Sequence, residues 1–545
     1  MKKGSLRFIL LFSLLFIHQL AQAQSPAGNG SNSFTMLLLA IVVLIAFFII
    51  IRVSDNLVRI EAKKQGIESE GDELSAFPGL RDVIGKKKGP AYAKGKYIAL
   101  KQGHNILLEG KAEGPMVAGN ANTFALLPPN FRGVSPIPKV EVEVGATVLA
   151  GDPIFHDKKN PDIKYVSPVS GEVIAVNRGE RRSIASIVVL ADKQQQYRSL
   201  NAPDPATASR EDLVRFLLDS GGWTFLRQRP FDVVASITDI PDNIFVSTFD
   251  TAPLAPDLNL VMEGRAAAFQ RGLEVLGRLT KGKVYLGLDA NGEKAPSAVF
   301  TGATGVGKTW FSGAHPAGNV GVQIHHIASI TPKSIVWTVG VQDVATIGTL
   351  FAENRFDATR VVALTGAELV TPKYVRTYIG ANIGQLLDGN VTNNNVRLIS
   401  GDVLSGSKVT ADDYLHYFDD QVTVVEEGNQ VEMFGWLMPD LATPSASKAL
   451  PSSRFPDTVF KAETNMHGEK RAFVVTGQYE DLLPMDIYPQ HLMKAILTND
   501  YEKMEGLGIH ELIEEDVALC EFACTSKQPL QAILRTGLDM VHEQG

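Results

Sequence analysis

Four residues in mid-chain have the types and spacing of a phosphate cradle. Gly302, Gly307, Lys308 and Thr309 satisfy G-x-x-x-x-G-K-[ST], in which backbone N–H groups and a lysine hold nucleotide phosphates and the threonine hydroxyl holds Mg²⁺. Such a loop works between a strand and a long helix. A strand is expected from Ser297 to Thr301, a short and partly β-branched run bounded by Pro296 and Gly302. The helix is not expected, because Gly313, Pro316 and Gly318 follow within nine residues of Trp310. A helix needs about three turns to be more than marginal, and proline removes an N–H and clashes in a helix interior. Without that helix no N-terminal dipole points at a phosphate. The partner acidic strand is poor too, since Gly340 and Gln342 interrupt the run from Ile335 to Asp343. A membrane-anchored P-loop nucleotide hydrolase using Gly302 to Thr309 is therefore the second of the functions the sequence offers.

The other chemistry-bearing residues are sparse. The 11 histidines show no ligand-like spacing with cysteine. His325 and His326 are adjacent, so in a strand they face opposite sides, and both read as structural rather than metal-binding. The two cysteines, Cys520 and Cys524, share one face of an expected helix, which suits a buried pair or at most a labile bridge. Iron–sulfur clusters need about four such ligands. A formal charge of -8 and a pI near 5.8 argue against nucleic acid, which demands a basic footprint. With 545 residues, 45% apolar and 21% charged, the chain can build about three or four cores.

The N-terminus reads as membrane-directed. Lys2, Lys3 and Arg7, an apolar core from Phe8 to Leu20, and Ala21-Gln-Ala23 follow the order of a secretory signal peptide, with cleavage expected before Gln24; the alternative is an uncleaved first transmembrane helix. A Gly/Ser/Asn linker covers 24–33. Phe34 to Ile51 has only Thr35 as a polar residue and at helical rise spans roughly 27 Å, close to a bilayer's hydrocarbon thickness. Arg52, Arg59, Lys63, Lys64 and Lys86 to Lys88 lie beyond it. Positive residues stay cytoplasmic, so the expected topology is one pass of a bacterial inner membrane with the main body in the cytoplasm. A charged tether occupies 52–93.

Further on the pattern changes twice. Val140, Val142 and Val144 alternate with Glu141 and Glu143, and turn signals recur at Gly145, Gly151, Pro161, Gly171 and Gly179, as in a β-rich sandwich or small barrel. Gly151-Asp-Pro-Ile-Phe155 and Ser167-Pro-Val-Ser-Gly-Glu-Val173 look like a lipoyl-type barrel-sandwich hybrid over 94–200. Lys158 and Lys159 sit in a longer loop than a carrier lysine needs, so the shape is expected without the modification. Over 201–358 strands and helices alternate: a helix from Ser209 to Leu218, strands from Asn243 to Phe249 and Lys283 to Leu288, a helix from Gly264 to Leu279 between them, then a strand from Val336 to Val341 and a helix from Asp343 to Phe351. Alternation implies a Rossmann-like parallel sheet covered on both faces, with ligands at the carboxyl ends of its strands, where the Gly302 to Gly318 loop is expected. A β-grasp (soluble-ligand-binding) domain with a β extension is expected over 359–488, including strands at Val361 to Leu364, Val396 to Ile399, Val422 to Val425, Val431 to Phe434 and Phe473 to Thr476. Helices divided near Gly506 and Gly508 fill 489–545. The fold class is thus α/β and α+β multidomain with one N-terminal transmembrane helix.

Several ordered motifs carry a family resemblance. Ser312-Gly-Ala-His-Pro-Ala-Gly318, His325 and His326, Val336-Trp-Thr-Val-Gly-Val-Gln-Asp-Val344 and Ile347-Gly-Thr-Leu350 resemble the A subunit of the bacterial Na⁺-translocating NADH:quinone reductase. So do Asp157-Lys-Lys-Asn-Pro161, Asn177-Arg-Gly179, Arg227 to Phe231, Gly282-Lys-Val-Tyr285, Ile399-Ser-Gly-Asp-Val-Leu-Ser-Gly406 and Phe434-Gly-Trp436, over a stretch from about Lys94 to the C-terminus. In that family the Gly302 to Trp310 segment looks like a variable loop entering the His-Pro-Ala-Gly turn, so the P-loop match reads as coincidence. The resemblance implies a peripheral component, not catalytic in isolation, of a complex that couples NADH oxidation and quinone reduction to Na⁺ export. NADH, FAD, FMN, Fe–S and quinone belong to the whole complex and no redox cofactor to this chain. Partners are the other subunits, especially the membrane quinone-reducing one, and quinone itself is an allowed ligand. Distantly related electron-entry subunits carry a longer glycine run for FMN and NADH and a fuller cysteine set, which makes a flavin- or NADH-binding protein the third reading. Family members begin near Lys94, so the membrane segment is a departure. No catalytic residue is assigned. His315, Pro316 and Gly318, at the expected ligand-bearing edge of the sheet, are the candidates for a quinone-adjacent or interface turn.

Overall fold

The computed structural model describes residues 37, 39–44, 47, 50, 53–54, 89–429, 443–474 and 476–544, in two units, 1–88 and 89–545. In the first unit the described residues are helical, and Leu37, Leu39, Ile41, Val42, Val43, Leu44, Phe47 and Ile50 are all exposed. The rest of the expected membrane segment from Phe34 to Ile51, the signal segment, the linker and the tether up to Lys88 lie outside the described residues. No helix among the described residues is long and apolar enough to cross a membrane.

Among the described residues the second unit is built on four sheets. The largest has seven strands in the order Lys96–Ala99, Gly307–Ser312, Val284–Asp289, Asn243–Ser247, Val336–Thr338, Arg227–Arg229 and Val233–Val234. The first five are mutually parallel, and the last two turn back antiparallel. Its strands are apolar on both sides because helices cover both faces. Ala266–Leu279 and Val341–Glu353 pack together over one of these, with Phe269, Leu273, Leu276, Val344 and Ile347 fully buried. The helix Arg210–Ser220 starts where Ser209 accepts the Asp212 N–H and stops at Gly221, which is left-handed at φ 80.

One strand arrives from an unexpected place. Lys96–Ala99 lies within the stretch assigned to the barrel-sandwich, yet it forms the edge of the seven-stranded sheet beside Gly307–Ser312. A little further on, Val117–Ala118 joins the edge of a second, six-stranded sheet. Four-residue edge strands carry too little pattern to reveal their partner. The barrel-sandwich sheets follow, all antiparallel: Thr123–Leu126, Ile184–Ala191, Gly171–Arg178 and Thr147–Val148 in one, and Lys139–Val140, Pro153–His156 and Lys164–Val166 in the other. Their core holds Val148, Ile154, Phe155, Tyr165, Val173 and Ile187. The expected alternation through Val144 is cut short: after Glu141 donates to Ile154 O the chain leaves the sheet, and Val144 is exposed. Lys158 and Lys159 are exposed in the turn before Lys164–Val166.

The six-stranded sheet runs Ser407–Val409, Val396–Ser400, Gln421–Glu426, Thr359–Thr365, Lys373–Tyr378, Val117–Ala118. Thr359–Thr365 pairs antiparallel with Lys373–Tyr378 and parallel with Gln421–Glu426. Of the further strands expected here, Val431 to Phe434, with the Phe434-Gly-Trp436 motif, lies outside the described residues. Phe473, Val474 and Thr476 form no strand, for Thr476 N–H goes to the Gln490 side chain instead of a neighbouring strand. The helices Pro489–Leu497, Tyr501–Gly506, Glu514–Ala523 and Leu530–Gln544 close the chain around a separate core. Cys520 and Cys524 are free and buried there, and the Tyr479 hydroxyl donates to Cys524 Sγ.

Candidate functional site

The P-loop match fails on topology. Its leading residues, expected as a strand, form the short helix Ala298–Thr301, because the Ser297 hydroxyl caps it by accepting the Val299 N–H and Gly302 N–H closes the turn on Ala298 O. Its trailing residues, read as loop, form the strand Gly307–Ser312. Helix, loop and strand thus replace strand, loop and helix, and the loop runs into a strand instead of a helix N-terminus. Lys308 Nζ donates to Thr301 O at 2.7 Å, and Thr309 is buried in the sheet. The lysine that a nucleotide would need is engaged elsewhere, and the threonine is out of reach of solvent. Residues 302–306 also lie before the strand, at its amino end, so only the later part of the loop occupies the carboxyl edge.

At that carboxyl edge His315, Pro316 and Gly318 form one turn. Gly313 N–H donates to Asn291 Oδ1 at 2.8 Å, fixing the turn to the end of Val284–Asp289. His315 N–H donates to Asn105 Oδ1 at 2.9 Å, and His104 N–H donates to His315 O at 2.9 Å. Gly103 passes so close, at φ +115, that a Cβ there would lie 2.4 Å from His315 O. The His315–Pro316 peptide is cis. Gly318 abuts the backbone after Asn243–Ser247, where an added Cβ would fall 2.7 Å from Thr251 N. Its N–H donates to Thr251 Oγ1 at 2.9 Å and its carbonyl accepts from Ser247 Oγ at 2.7 Å. Gln323, on the helix Val320–Ile327, donates to that same Ser247 hydroxyl.

His315 itself is 4% exposed. Its Nδ1 meets Thr251 Oγ1 at 3.2 Å, while Nε2 is buried with no hydrogen-bond partner among the described residues. Burial pushes the imidazole down to about 4, with the Asp402 charge working the other way. The ring is neutral at pH 7. Asp402 belongs to a group of carboxyls close enough to influence one another, with Asp250, Asp419 and Asp420. Asp250 keeps an open edge to solvent but is crowded by protein on its other sides, which raises its carboxyl to about 6, helped by the Asp402 charge. Loss of solvent lifts Asp420 to about 7 against the pull of Arg360, with Asp250 and Asp419 adding to it. No group of three or more His, Cys, Asp or Glu among the described residues could hold a metal ion.

The turn is braced from behind by the C-terminal helices. Asn319 Nδ2 donates to Glu515 O at 3.0 Å, and Arg229, 1% exposed, binds Glu515 and Asp516 at 3.0 and 3.2 Å. His325 and His326, read as structural, sit on a helix rather than a strand. Asp486 N–H donates to His325 Nε2, which leaves Nδ1 to donate to Glu511 at 2.6 Å, and His326 Nε2 donates to Pro484 O at 2.8 Å. Thr251 and Asp250 were legible in principle, as the first residues beyond a recognised parallel strand. Asn105 and Asp402 were not, since they come from distant segments.

Together these features define a multidomain assembly of a barrel-sandwich and a largely parallel α/β sheet, whose carboxyl edge is filled by a histidine turn rather than a phosphate cradle. Family models for the NqrA N-terminal barrel-sandwich hybrid domain, the NqrA second alpha/beta domain and the NQRA C-terminal domain match residues 98–192, 208–356 and 361–411. The A subunit of the Na⁺-translocating NADH-quinone reductase of Saccharophagus degradans is 37% identical over 452 residues, covering 82% of this chain and 100% of the relative. The corresponding A subunits of Neisseria meningitidis serogroup B and Pasteurella multocida match to the same extent. A NAD⁺-reducing [NiFe]-hydrogenase aligns over 63% of this chain and 62% of its own at 10% identity, with a TM-score of 0.34, too low to support an argument. The chain belongs to the NqrA family, the A subunits of the Na⁺-translocating NADH-quinone reductase.

Proposed function

We propose that this chain works as the peripheral, membrane-tethered A subunit of a Na⁺-pumping NADH:quinone reductase, with its main body on the cytoplasmic side of a bacterial inner membrane. The observation that carries the reading is identity of 37% along the whole length of a named relative. Its role is to dock and shape rather than to carry electrons, so NADH, flavins, Fe–S centres and quinone chemistry reside in the other subunits. The membrane quinone-reducing subunit is its nearest partner, and the turn at His315, Pro316 and Gly318 faces quinone or that partner. The hairpin, helix Ile383–Leu387 and central parallel strand Gln421–Glu426 support a β-grasp reading of the domain after residue 358, with the helical segment from 489 as its own body. The segment from Phe34 to Ile51 is the membrane-spanning anchor, and 52–93 is the tether that follows it. Affinity capture through this chain from solubilised membranes, read by mass spectrometry, tests the proposal: the other reductase subunits should be recovered. Recovery of none of them would overturn it.

A further inference from the structure

The long hairpin of the barrel-sandwich, Gly171–Arg178 with Ile184–Ala191, ends in an arginine cluster that the fold does not use. Arg178, Arg181 and Arg182 are all exposed at its tip. Among the described residues none of the three guanidiniums meets a carboxylate, and their hydrogen bonding is confined to Arg178 Nη1 donating to Arg182 O at 3.3 Å. The turn that displays them is held shut. Gly179 N–H donates to Ser183 O at 2.9 Å and Ser183 N–H to Glu180 O at 3.0 Å, and the Ser183 hydroxyl donates to that same Glu180 O at 2.8 Å. Within it Arg181, at φ 52, and Arg182, at φ 63, both adopt the left-handed backbone, which glycine enters freely and arginine only at a cost. The glycine beside them sits at an ordinary φ of -95. Residues kept in such strained positions cluster where their side chains have a function.

We propose that this tip is a membrane-orienting contact, in which Arg178, Arg181 and Arg182 bind the anionic phosphate headgroups of the bilayer that anchors the chain. The inference rests on the membrane-tethered reading and adds which face of the main body is turned to the lipid. Guanidinium forks match phosphate oxygens in geometry and charge, and basic residues beside a membrane are drawn to anionic lipid. A protein partner is the weaker fit. Residues 177–183 read Asn-Arg-Gly-Glu-Arg-Arg-Ser, with no apolar side chain to form the dry centre that a protein interface needs. The chain as a whole carries a formal charge of -8, so an anionic leaflet repels most of its surface. An isolated basic point then selects the face that approaches.

The test uses the full-length chain in nanodiscs of phosphatidylcholine alone or mixed equally with phosphatidylglycerol, with an acceptor dye on a trace of the headgroups. Cys520 and Cys524 are free and buried, so a donor dye can be placed on Glu172→Cys, an exposed position of the same hairpin. Energy transfer should be higher in the phosphatidylglycerol discs, and 1 M salt, with a screening length of about 3 Å, should return it to the phosphatidylcholine level. Arg181→Gly with Arg182→Gly relieves the left-handed backbone, so its thermal midpoint should equal or exceed wild type. Its docked-to-free ratio should nevertheless fall about twenty-five-fold, about fivefold for each arginine. Arg181→Lys with Arg182→Lys keeps the charge and should keep most of the docking. Equal transfer in the two kinds of disc, or an undiminished rise in the glycine variant, would overturn the contact and leave the tether standing. Proximity that appears only with the other reductase subunits and ignores lipid charge would overturn it in favour of a protein partner. A chain that floats with neither kind of disc would overturn the tether and the contact together.

Discussion

Two glycines in one helix pair should respond to alanine with opposite signs. Ala266–Leu279 and Val341–Glu353 lie backbone to backbone. A Cβ on Gly348 would fall 1.7 Å from Ala268 O and 2.9 Å from Gly272 N, while Gly277, on the first of these helices, has nothing within 4 Å of the same position. Gly277→Ala gains helix propensity alone and should stabilise by about 1 kcal/mol. Gly348→Ala gains the same amount and must also push the helices apart. Overpacking of this kind costs about 1–3 kcal/mol and occasionally more. Here the contact is with backbone that has no rotamer to change, and the seam is lined by Leu273, Leu276, Val344 and Ile347 at 0–2% exposure. Opening it forfeits roughly a quarter to a half of the dispersion energy of the atoms that separate. The net expectation is a loss of about 2 kcal/mol or more, so the two variants should differ by about 3 kcal/mol. Trp223 and Trp337, both buried and 5.3 Å apart in this body, report it by fluorescence during urea unfolding. A Gly348→Ala midpoint equal to or above wild type would refute the close-packed helix seam.

Lys308→Ala should leave nucleotide affinity unchanged by equilibrium dialysis, because its ammonium is spent on Thr301 O; loss of a measurable affinity would revive the hydrolase. Asp516→Ala leaves the Arg229 guanidinium short of its buried partner and should destabilise by about 3–5 kcal/mol, whereas Arg229→Met with Asp516→Leu should recover much of that in the same unfolding assay. The His315 imidazole, held at about 4 when folded against an ordinary 6.5, takes up its proton first in the unfolded chain as pH falls. Stability from this group is therefore full above about 6.5 and lost on the way down to about 4, on the order of 3 kcal/mol. His315→Gln should flatten that part of the pH-stability curve, and an unchanged curve would count against a buried neutral ring.

Long periodic stretches were readable from sequence. The strand at Val284–Asp289 and the helices at Ala266–Leu279 and Val341–Glu353 fall within two residues of expectation, because burial on a fixed period leaves its mark in residue order. The Ser297 to Thr301 segment misled because five residues of mixed type suit a helix turn as well as a strand, and Ser297 as a cap decided it. The turn was legible as a motif, through Gly313, Pro316 and Gly318. Its partners were not, since Asn105 and Asp402 reach it from segments far apart in the sequence and joined only by the fold.

The edge strand Lys96–Ala99 has a consequence for biosynthesis. Tyr97 and Ser312, hydrogen-bonded across that edge, are separated by 215 positions in the chain. At translation speeds of roughly 5–20 residues per second, the nascent strand waits about ten to forty seconds for its neighbour to leave the ribosome. Throughout that interval it presents unpaired backbone groups, the feature that recruits stray strands from other molecules. Slowed elongation before codon 312 should therefore aggravate aggregation in the cell, and a ribosome-associated chaperone should relieve it.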